Sequence, residues 1–228
     1  MPVANGYDIA PDRAMSISEA CVATGLSARK INRLIDEEVL PESVCLKFGN
    51  TRALLAYSMP MMVLCANDWS MFGKRTRDKV ANLIGTFAKR NWSRLLENPG
   101  QSEQLWFRTE MISVDLGKPV RQAMIGLNKL IDARSRVVED PDIRGGIPTI
   151  RGTRIGVYQI AGLRRNEDMD TILEHYPRLS REDVEATALY AKAYPKPRQK
   201  RLTPMQRLKY YPDARLISHT TVELPDPT

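Results

Sequence analysis

The chain has 228 residues and a net charge of +7, with 43% of its residues hydrophobic and 27% charged. This composition is typical of a globular protein and excludes wholesale disorder, and the longest apolar run, Met59–Ala66, is too short to span a membrane. Asp8 and Asp12 near the start argue against a signal peptide, so we expect a protein of the cytoplasm. The three cysteines and two histidines lack the spacing of a disulfide framework or a metal site. We expect no metal, no cofactor and no enzymatic activity.

The charge is unevenly distributed along the chain. Lys and Arg outnumber Asp and Glu by 18 to 14 in residues 1–134 and by 7 to 3 in residues 195–228, whereas residues 135–194 hold 9 against 10. A basic front and a basic tail attract phosphate backbones, but they also attract acidic protein surfaces. The charge alone leaves both kinds of partner open.

Residues 15–41 carry two short runs of helical spacing that are separated by Gly25. Ser18 is the expected N-cap of the first helix, Gly25 permits the turn, and Ser27 caps the second helix. This pattern predicts a helix-turn-helix, and the alternative is a helical hairpin with a solvated basic face. In a helix-turn-helix, the outer residues of the second helix contact bases and phosphates. The predicted contacts are Ser27, Arg29, Lys30, Asn32 and Arg33, and the inner face is Ile31, Leu34 and Ile35.

A turn at Phe48, Gly49 and Asn50 predicts a short hairpin after the second helix. The hairpin is either the wing of a DNA-binding domain or an ordinary surface turn. A wing would place Lys47, Asn50 and Arg52 near a phosphate or the minor groove.

The front of the chain resembles the N-terminal DNA-binding part of MerR-type winged-helix proteins over about forty residues. It departs from that family in residues 32–35, where the aromatic residues of the second helix are missing. The resemblance implies binding to operator DNA, and it implies a homodimer, because a single motif seldom binds tightly enough. The matching residues are Ile17, Glu19, Ala20, Thr24, Gly25, Leu26, Ser27, Leu40 and Pro41.

Two further helices complete the front domain, which we assign to residues 1–98. One begins at Pro60 and runs through Met61–Trp69, and the other covers Arg75–Arg94. Residues 72–94 hold seven Lys and Arg against a single Asp, so the second helix either follows a DNA backbone or presents a solvated face. Its predicted apolar stripe is Val80, Leu83, Ile84 and Phe87.

Residues 99–134 are predicted to form a linking or dimerisation element. Met111–Leu116 alternates as a strand, and Lys118–Arg134 has the spacing of an amphipathic helix with Pro119 in its first turn. The inner side of that helix is Val120, Ala123, Met124, Leu127, Leu130 and Ile131.

Residues 135–194 predict a compact unit of three short helices and a small hairpin. The first helix begins near Gly156, Asn166 or Asp168 caps the second, and Ser180 with Asp183 opens the third. Turn signals at residues 140–141 and 145–146 bound the hairpin. We expect Arg151 and Arg154 to fasten it to the carboxylates of Asp140 or Asp142 or to nearby helix ends.

The same stretch closely resembles the bacterial domain of unknown function 433. Gly156 and Leu163–Arg165 depart from its usual loop residues. The resemblance implies a fold similar to winged helix-turn-helix units and an antitoxin that pairs with a PIN-like nuclease toxin, as in VapBC-type modules. The matching motifs are Asp140–Ile143, Gly145–Pro148, Ile150–Ile155, Ile172–Leu173, Tyr176–Pro177, Leu179, Glu182–Val184 and Ala188–Ala191.

The tail, residues 195–228, contains six prolines and no sustained helical period, so we expect it to be extended. Because PIN-like nucleases hold a divalent metal with acidic side chains, the resemblance implies that a basic arm neutralises that site. A DNA-tracking arm and an inert tail are the alternatives. The residues predicted to bind the toxin are Arg198, Lys200, Arg201, Arg207, Lys209, Tyr210, Tyr211 and Arg215.

Two functional hypotheses follow from these patterns. In the first, a mainly α protein with small β elements is a VapB-type antitoxin that inhibits a PIN-like ribonuclease toxin and represses its own operon. It joins an N-terminal winged helix-turn-helix, a C-terminal trihelical winged-helix-like domain and an extended tail. In the second, it is a stand-alone MerR-like transcriptional regulator without a toxin partner.

Overall fold

The computed structural model describes residues 9–49, 51–66, 73–102, 105–108, 110 and 113–196. The described chain is mainly helical with small antiparallel sheets, which confirms the predicted fold class. Its longest described helix has 19 residues, and none of the described helices combines the length and apolarity that a membrane crossing requires. The described residues up to Lys196 belong to one compact unit.

The front of the chain pairs two short helices with a three-stranded antiparallel sheet of order β1-β3-β2. Strand β3 is central, with Met15 of β1 opposite Leu54 and Lys47 of β2 opposite Arg52. The predicted hairpin is confirmed as β2 and β3, whereas β1 was not predicted, because three residues are too few to show alternation. The elements are β1 (Ala14–Ser16), α1 (Ile17–Thr24), α2 (Ala28–Asp36), β2 (Cys45–Phe48) and β3 (Thr51–Leu55).

Helix α1 begins two residues earlier than predicted, and the choice of Ser18 as its N-cap was wrong. Ser16 has an extended backbone, and its Oγ accepts a hydrogen bond from the Glu19 N–H while the Glu19 carboxylate accepts one from the Ser16 N–H at 2.8 Å. This capping box satisfies two of the helix's unpaired donors. The turn is as predicted: Gly25 ends α1 with φ +75°, and Ser27 caps α2 through the Lys30 N–H.

Helices α3 (Met59–Cys65), α4 (Lys74–Arg90) and α5 (Trp92–Glu97) follow. The predicted continuous helix to Arg94 breaks at Asn91, whose side chain donates to the Phe87 carbonyl and so competes with the helical backbone. Residues 67–69, the predicted end of α3, lie outside the described residues. The predicted stripe of α4 was wrong at Leu83, which is 40% exposed. Val80 and Ile84 of that stripe are buried, and Ala81 and Ala88 are the other buried hydrophobic residues of the helix.

Helix α6 (Gly117–Ser135) runs through the middle of the packed chain and packs against α1, α3 and the last helix. A hairpin of β4 (Trp106–Arg108) and β5 (Ser113–Asp115) precedes it. Strand β5 ends one residue before the predicted end at Leu116, and residues 111–112 of the predicted strand lie outside the described part. The inner face of α6 is as predicted, but it packs within the chain. Dimerisation through residues 99–134 stays a prediction, and the buried face of α6 is not available for it. The buried residues include Val120, Ala123, Met124, Leu127 and Leu130.

The rear of the chain is the predicted trihelical unit with a two-stranded hairpin. Asp168, not Asn166, caps the second helix, and Ser180 with Asp183 forms the predicted capping box of the third. These three helices enclose a second hydrophobic cluster around Ile160, Ile172 and Val184. The elements are β6 (Val137–Val138), β7 (Thr149–Ile150), α7 (Val157–Leu163), α8 (Met169–His175) and α9 (Arg181–Ala193).

The hairpin is held by one of the two predicted kinds of contact, that to a helix end. The Arg151 Nε donates to the Ser135 carbonyl at the end of α6, which agrees with the predicted helix-end contact. The predicted ion pairs to Asp140 or Asp142 were wrong, since the Asp140 carboxylate instead accepts the Asp142 N–H and caps its own turn. Arg154 contributes its carbonyl, which accepts from Arg144.

The cap of α8 gives a pH-dependent contribution to stability. Hydrogen bonds from the Thr171 backbone and hydroxyl lower the pKa of Asp168. A lowered pKa in the folded state means that this stabilisation is present above the unfolded-state pKa of about 4 and is lost as the pH falls through the folded-state value. We expect Asp168→Asn, which can still cap, to lower the thermal midpoint slightly near neutral pH and to match the parent protein in acid. A difference that stays constant down to acid pH would contradict the charged cap.

Candidate nucleic-acid interface

Helix α2 presents two unobstructed cations in its first turn. Arg29 and Lys30 are exposed, while Ile31 and Leu34 on the opposite side are buried in the front core. The Ser27 hydroxyl oxygen is engaged as the N-cap and keeps its proton for a further partner. The amphipathic spacing of nine residues thus fixes which side chains of this short helix reach solvent.

The remaining predicted residues of α2 are engaged in local contacts. The Arg33 Nε donates to the Glu37 carboxylate at 2.7 Å, a hydrogen bond that raises the pKa of the guanidinium, and the Asn32 amide donates to the Ala28 carbonyl at 2.9 Å. Both members of the Arg33 pair are well exposed, at 74% and 50%. Exposed pairs of this kind contribute little, so a phosphate can replace the carboxylate at low cost.

The hairpin lies against the end of α2. The Arg52 Nη1 donates to the Asp36 carboxylate at 2.6 Å, which ties strand β3 to the last turn of the helix. Lys47, opposite Arg52 in the ladder, is exposed. Asn50, which was predicted to contact DNA, lies outside the described residues. In this region the structure places Arg52, which is partly neutralised, at the last turn of α2, while Arg29 and Lys30 lie in its first turn.

A groove of about 760 Å³ lies beside this region, between α2 and the facing parts of α3 and α4. Arg29, Lys30 and Arg33 line it from α2, and Arg77 lines it from α4. Arg77 was not among the predicted DNA contacts. The basic run in residues 72–94 was a signal, but helical spacing cannot show which of its cations turns toward α2.

A buried carboxylate behind the interface joins the two ends of the described chain. Glu19 is 5% exposed, and its Oε1 accepts from Arg13 at 2.5 Å and from the Tyr194 hydroxyl at 2.8 Å. Burial and the Glu19 contact raise the pKa of Tyr194, which keeps its hydroxyl a donor. The Tyr194 carbonyl in turn accepts from Tyr158 of the rear unit. The end of α9 is thus anchored to the capping box that starts α1.

The predicted toxin-binding residues from Arg198 to Arg215 lie outside the described residues. Among the described residues there is no cluster of three or more His, Cys, Asp or Glu side chains placed to hold a metal ion.

Comparisons with known proteins identify the rear unit. Residues 137–191 match a family described as a protein of unknown function, DUF433, which confirms the predicted resemblance there. An uncharacterized protein of Sinorhizobium fredii, y4eO, is 31% identical over 186 residues, which cover 79% of this chain and 81% of that protein. No solved structure matches the chain. The MerR-type and VapB-type resemblances stay predictions.

Proposed function

We propose that this chain is a VapBC-like type II antitoxin. The premise is that it belongs to the same family as the uncharacterized protein y4eO of Sinorhizobium fredii and carries a DUF433 domain. In this proposal it binds and inhibits a PIN-like ribonuclease toxin, and it represses its own operon by binding DNA. It catalyses no reaction.

The observation that carries the proposal is that a front unit and a rear unit pack together in one compact part of the chain. A DUF433 domain at residues 137–191 is packed, through α6 and α9, onto a front unit with a helix pair and a β-hairpin. The resemblance of the rear unit to DUF433 domains implies an antitoxin, and this supports a toxin partner. The helix pair and hairpin have the element order of a winged helix-turn-helix, which supports DNA binding.

The geometry of α2 and the hairpin supports DNA binding in which some residues contact bases and others contact phosphates. Arg29 and Lys30 stand in its first turn, the part of a recognition helix that reaches base edges in the major groove. Lys47 and Arg52 on the hairpin lie beside α2, where they are suited to a flanking phosphate. Two copies of the chain are needed for adequate affinity, so the proposal includes a homodimer.

The charge of the tail supports the toxin contact. Residues 195–228 hold seven cations against three carboxylates, together with Tyr210 and Tyr211 as apolar anchors. Phosphate tracking does not need aromatic anchors, whereas a protein interface does. Arginine side chains of the tail that reach the acidic metal ligands of a nuclease would form charge-assisted hydrogen bonds with them and so exclude the metal.

The experiment is a pull-down from the native host with the full chain as bait and with a chain that ends at Tyr194, followed by mass spectrometry. We expect the full chain to recover a PIN-like nuclease and the shortened chain to recover less of it. Arg29→Ala combined with Lys30→Ala, a matched control in the front unit, is expected to keep the nuclease and lose DNA from the upstream region of the gene.

The alternative outcome is equally specific. If the full chain retains DNA but no nuclease, and if removing the tail only flattens the salt dependence of DNA binding, the antitoxin proposal fails. The stand-alone MerR-like regulator would then be the better account, with the tail as a phosphate-tracking arm.

A further inference from the structure

The groove between α2 and α4 has a strongly cationic wall. Arg29, Lys30, Arg33 and Arg77 line it, and Glu37 is the one carboxylate among its described lining residues. Glu37 is already paired with Arg33. Three cations therefore remain uncompensated within the described lining, so the groove is suited to an anion.

Among the described residues, no carboxylate forms an ion pair with Arg77, which lines the wall from α4. Its Nε is buried and has no hydrogen-bond partner within the described structure. Its charge acts on the neighbouring Cys65, whose pKa burial raises to about 12, so that thiol stays neutral and cannot offset the guanidinium. An arginine without a counter-charge beside an apolar floor is a strong anion-binding group, because the floor keeps water away from one side.

We propose that this groove binds a phosphodiester group of the DNA backbone and that Arg77 completes the site. The inference rests on the proposed DNA binding by α2. Arg29 and Lys30 line the groove and are also exposed on the outer side of the helix, so a phosphate seated here lies next to the base edges that the same helix would read. Such a contact fixes the register of a recognition helix without reading sequence itself.

The openness of the cationic wall favours a backbone phosphate over a free small anion. Sites for small molecules usually enclose most of their ligand. Here Arg29, Lys30 and Arg33 are all exposed to solvent, and the wall continues onto the outer face of α2. A polymer that passes along the surface can use such a wall, whereas a free phosphate would stay largely hydrated.

The test measures the salt dependence of duplex binding by the full-length protein. Fluorescence anisotropy with a mixed-sequence duplex of about 20 base pairs, roughly two helical turns, gives the slope of log affinity against log salt concentration. We expect Arg77→Gln to reduce the magnitude of the slope by about 0.9 and to weaken all sequences equally, because one phosphate contact is lost. Lys79→Gln, on the same helix but outside the groove, is expected to keep the parent slope.

A second variant keeps the inference testable if Arg77→Gln does not fold. Glu37→Gln removes the groove's carboxylate at an exposed position and frees Arg33, so we expect tighter duplex binding and a steeper slope. Its matched control is Glu38→Gln, the next residue, which does not line the groove. Unchanged or weaker binding by Glu37→Gln would overturn the inference.

The outcomes separate this inference from the proposed function. If the parent protein does not bind the duplex at all, DNA binding itself fails. If it binds but Arg77→Gln behaves as the parent, or if Lys79→Gln loses as much slope, the groove is not the phosphate site. If Arg77→Gln weakens the binding of inorganic phosphate but leaves duplex binding unchanged, the ligand is a free anion and the assignment to the DNA backbone is wrong.

Discussion

Replacement of Gly126 by Ala is expected to destabilise the protein by at least about 3 kcal/mol, at the upper end for an overpacking change. A Cβ at this position of α6 would lie 2.0 Å from the Ala23 carbonyl oxygen and 2.6 Å from its carbon. Both atoms belong to the backbone of α1, so the clash cannot be relieved by a side-chain rotation. The two helices must separate, and the shared core opens with them.

Thermal unfolding measures the effect, and a fall in midpoint of roughly 6–12 °C corresponds to that energy for a chain of this size. Gly162→Ala is the matched control. Gly162 lies in α7, and a Cβ there would meet no atom within 4 Å. We expect this control to be neutral or to gain up to about 1 kcal/mol from helix propensity. An equal loss for both variants would show that the close approach of α1 and α6 is not the cause.

Replacement of Glu19 by Ala is expected to cost about 2–4 kcal/mol. The substitution removes the capping box of α1, worth about 1 kcal/mol. It also leaves the half-buried Tyr194 hydroxyl without its acceptor, which costs about 1–3 kcal/mol. The ion pair with Arg13 adds little, because that side chain is 33% exposed.

Denaturant unfolding of Glu19→Ala tests this estimate against Glu185→Ala. Glu185 is an exposed carboxylate on α9, and its replacement is expected to change stability by less than about 0.5 kcal/mol. When Tyr194→Phe is added to Glu19→Ala, it keeps the ring and removes only the hydroxyl that has lost its acceptor. We expect this double variant to recover part of the stability that Glu19→Ala loses. If Glu19→Ala is as stable as Glu185→Ala, the contact between α9 and the start of α1 does not hold the two ends together.

The features that were predictable from the sequence are those set by neighbouring residues. Gly25 and Ser27 specify a turn and a cap within a few positions, and the Ser180 and Asp183 box works in the same local way. Ser18 failed as a cap because Ser16, an equally suitable residue, precedes the same helix and also pairs with β3. The three-residue spacing of Ser16 and Glu19, which is that of a capping box, is a local signal that selects Ser16, and the pairing of β1 with β3 adds to it.

The features that were not predictable depend on contacts between distant segments. Leu83 fits the apolar stripe of α4 by spacing, yet the neighbours of that helix leave it exposed. In the sequence, nothing distinguishes Arg77 from the other cations of residues 72–94. Only the position of α2 in the fold shows that Arg77 lines the groove. The Glu19 and Tyr194 side chains are 175 residues apart in sequence, so periodicity carries no information about their hydrogen bond.

The most direct test of the antitoxin account is RNA cleavage by the captured PIN-like nuclease, titrated with the full chain and with the chain that ends at Tyr194. The account predicts that cleavage stops near equimolar full chain and continues in the presence of the shortened chain, because the basic tail carries the groups that neutralise the acidic site. Cleavage that persists under a saturating excess of full chain would contradict it.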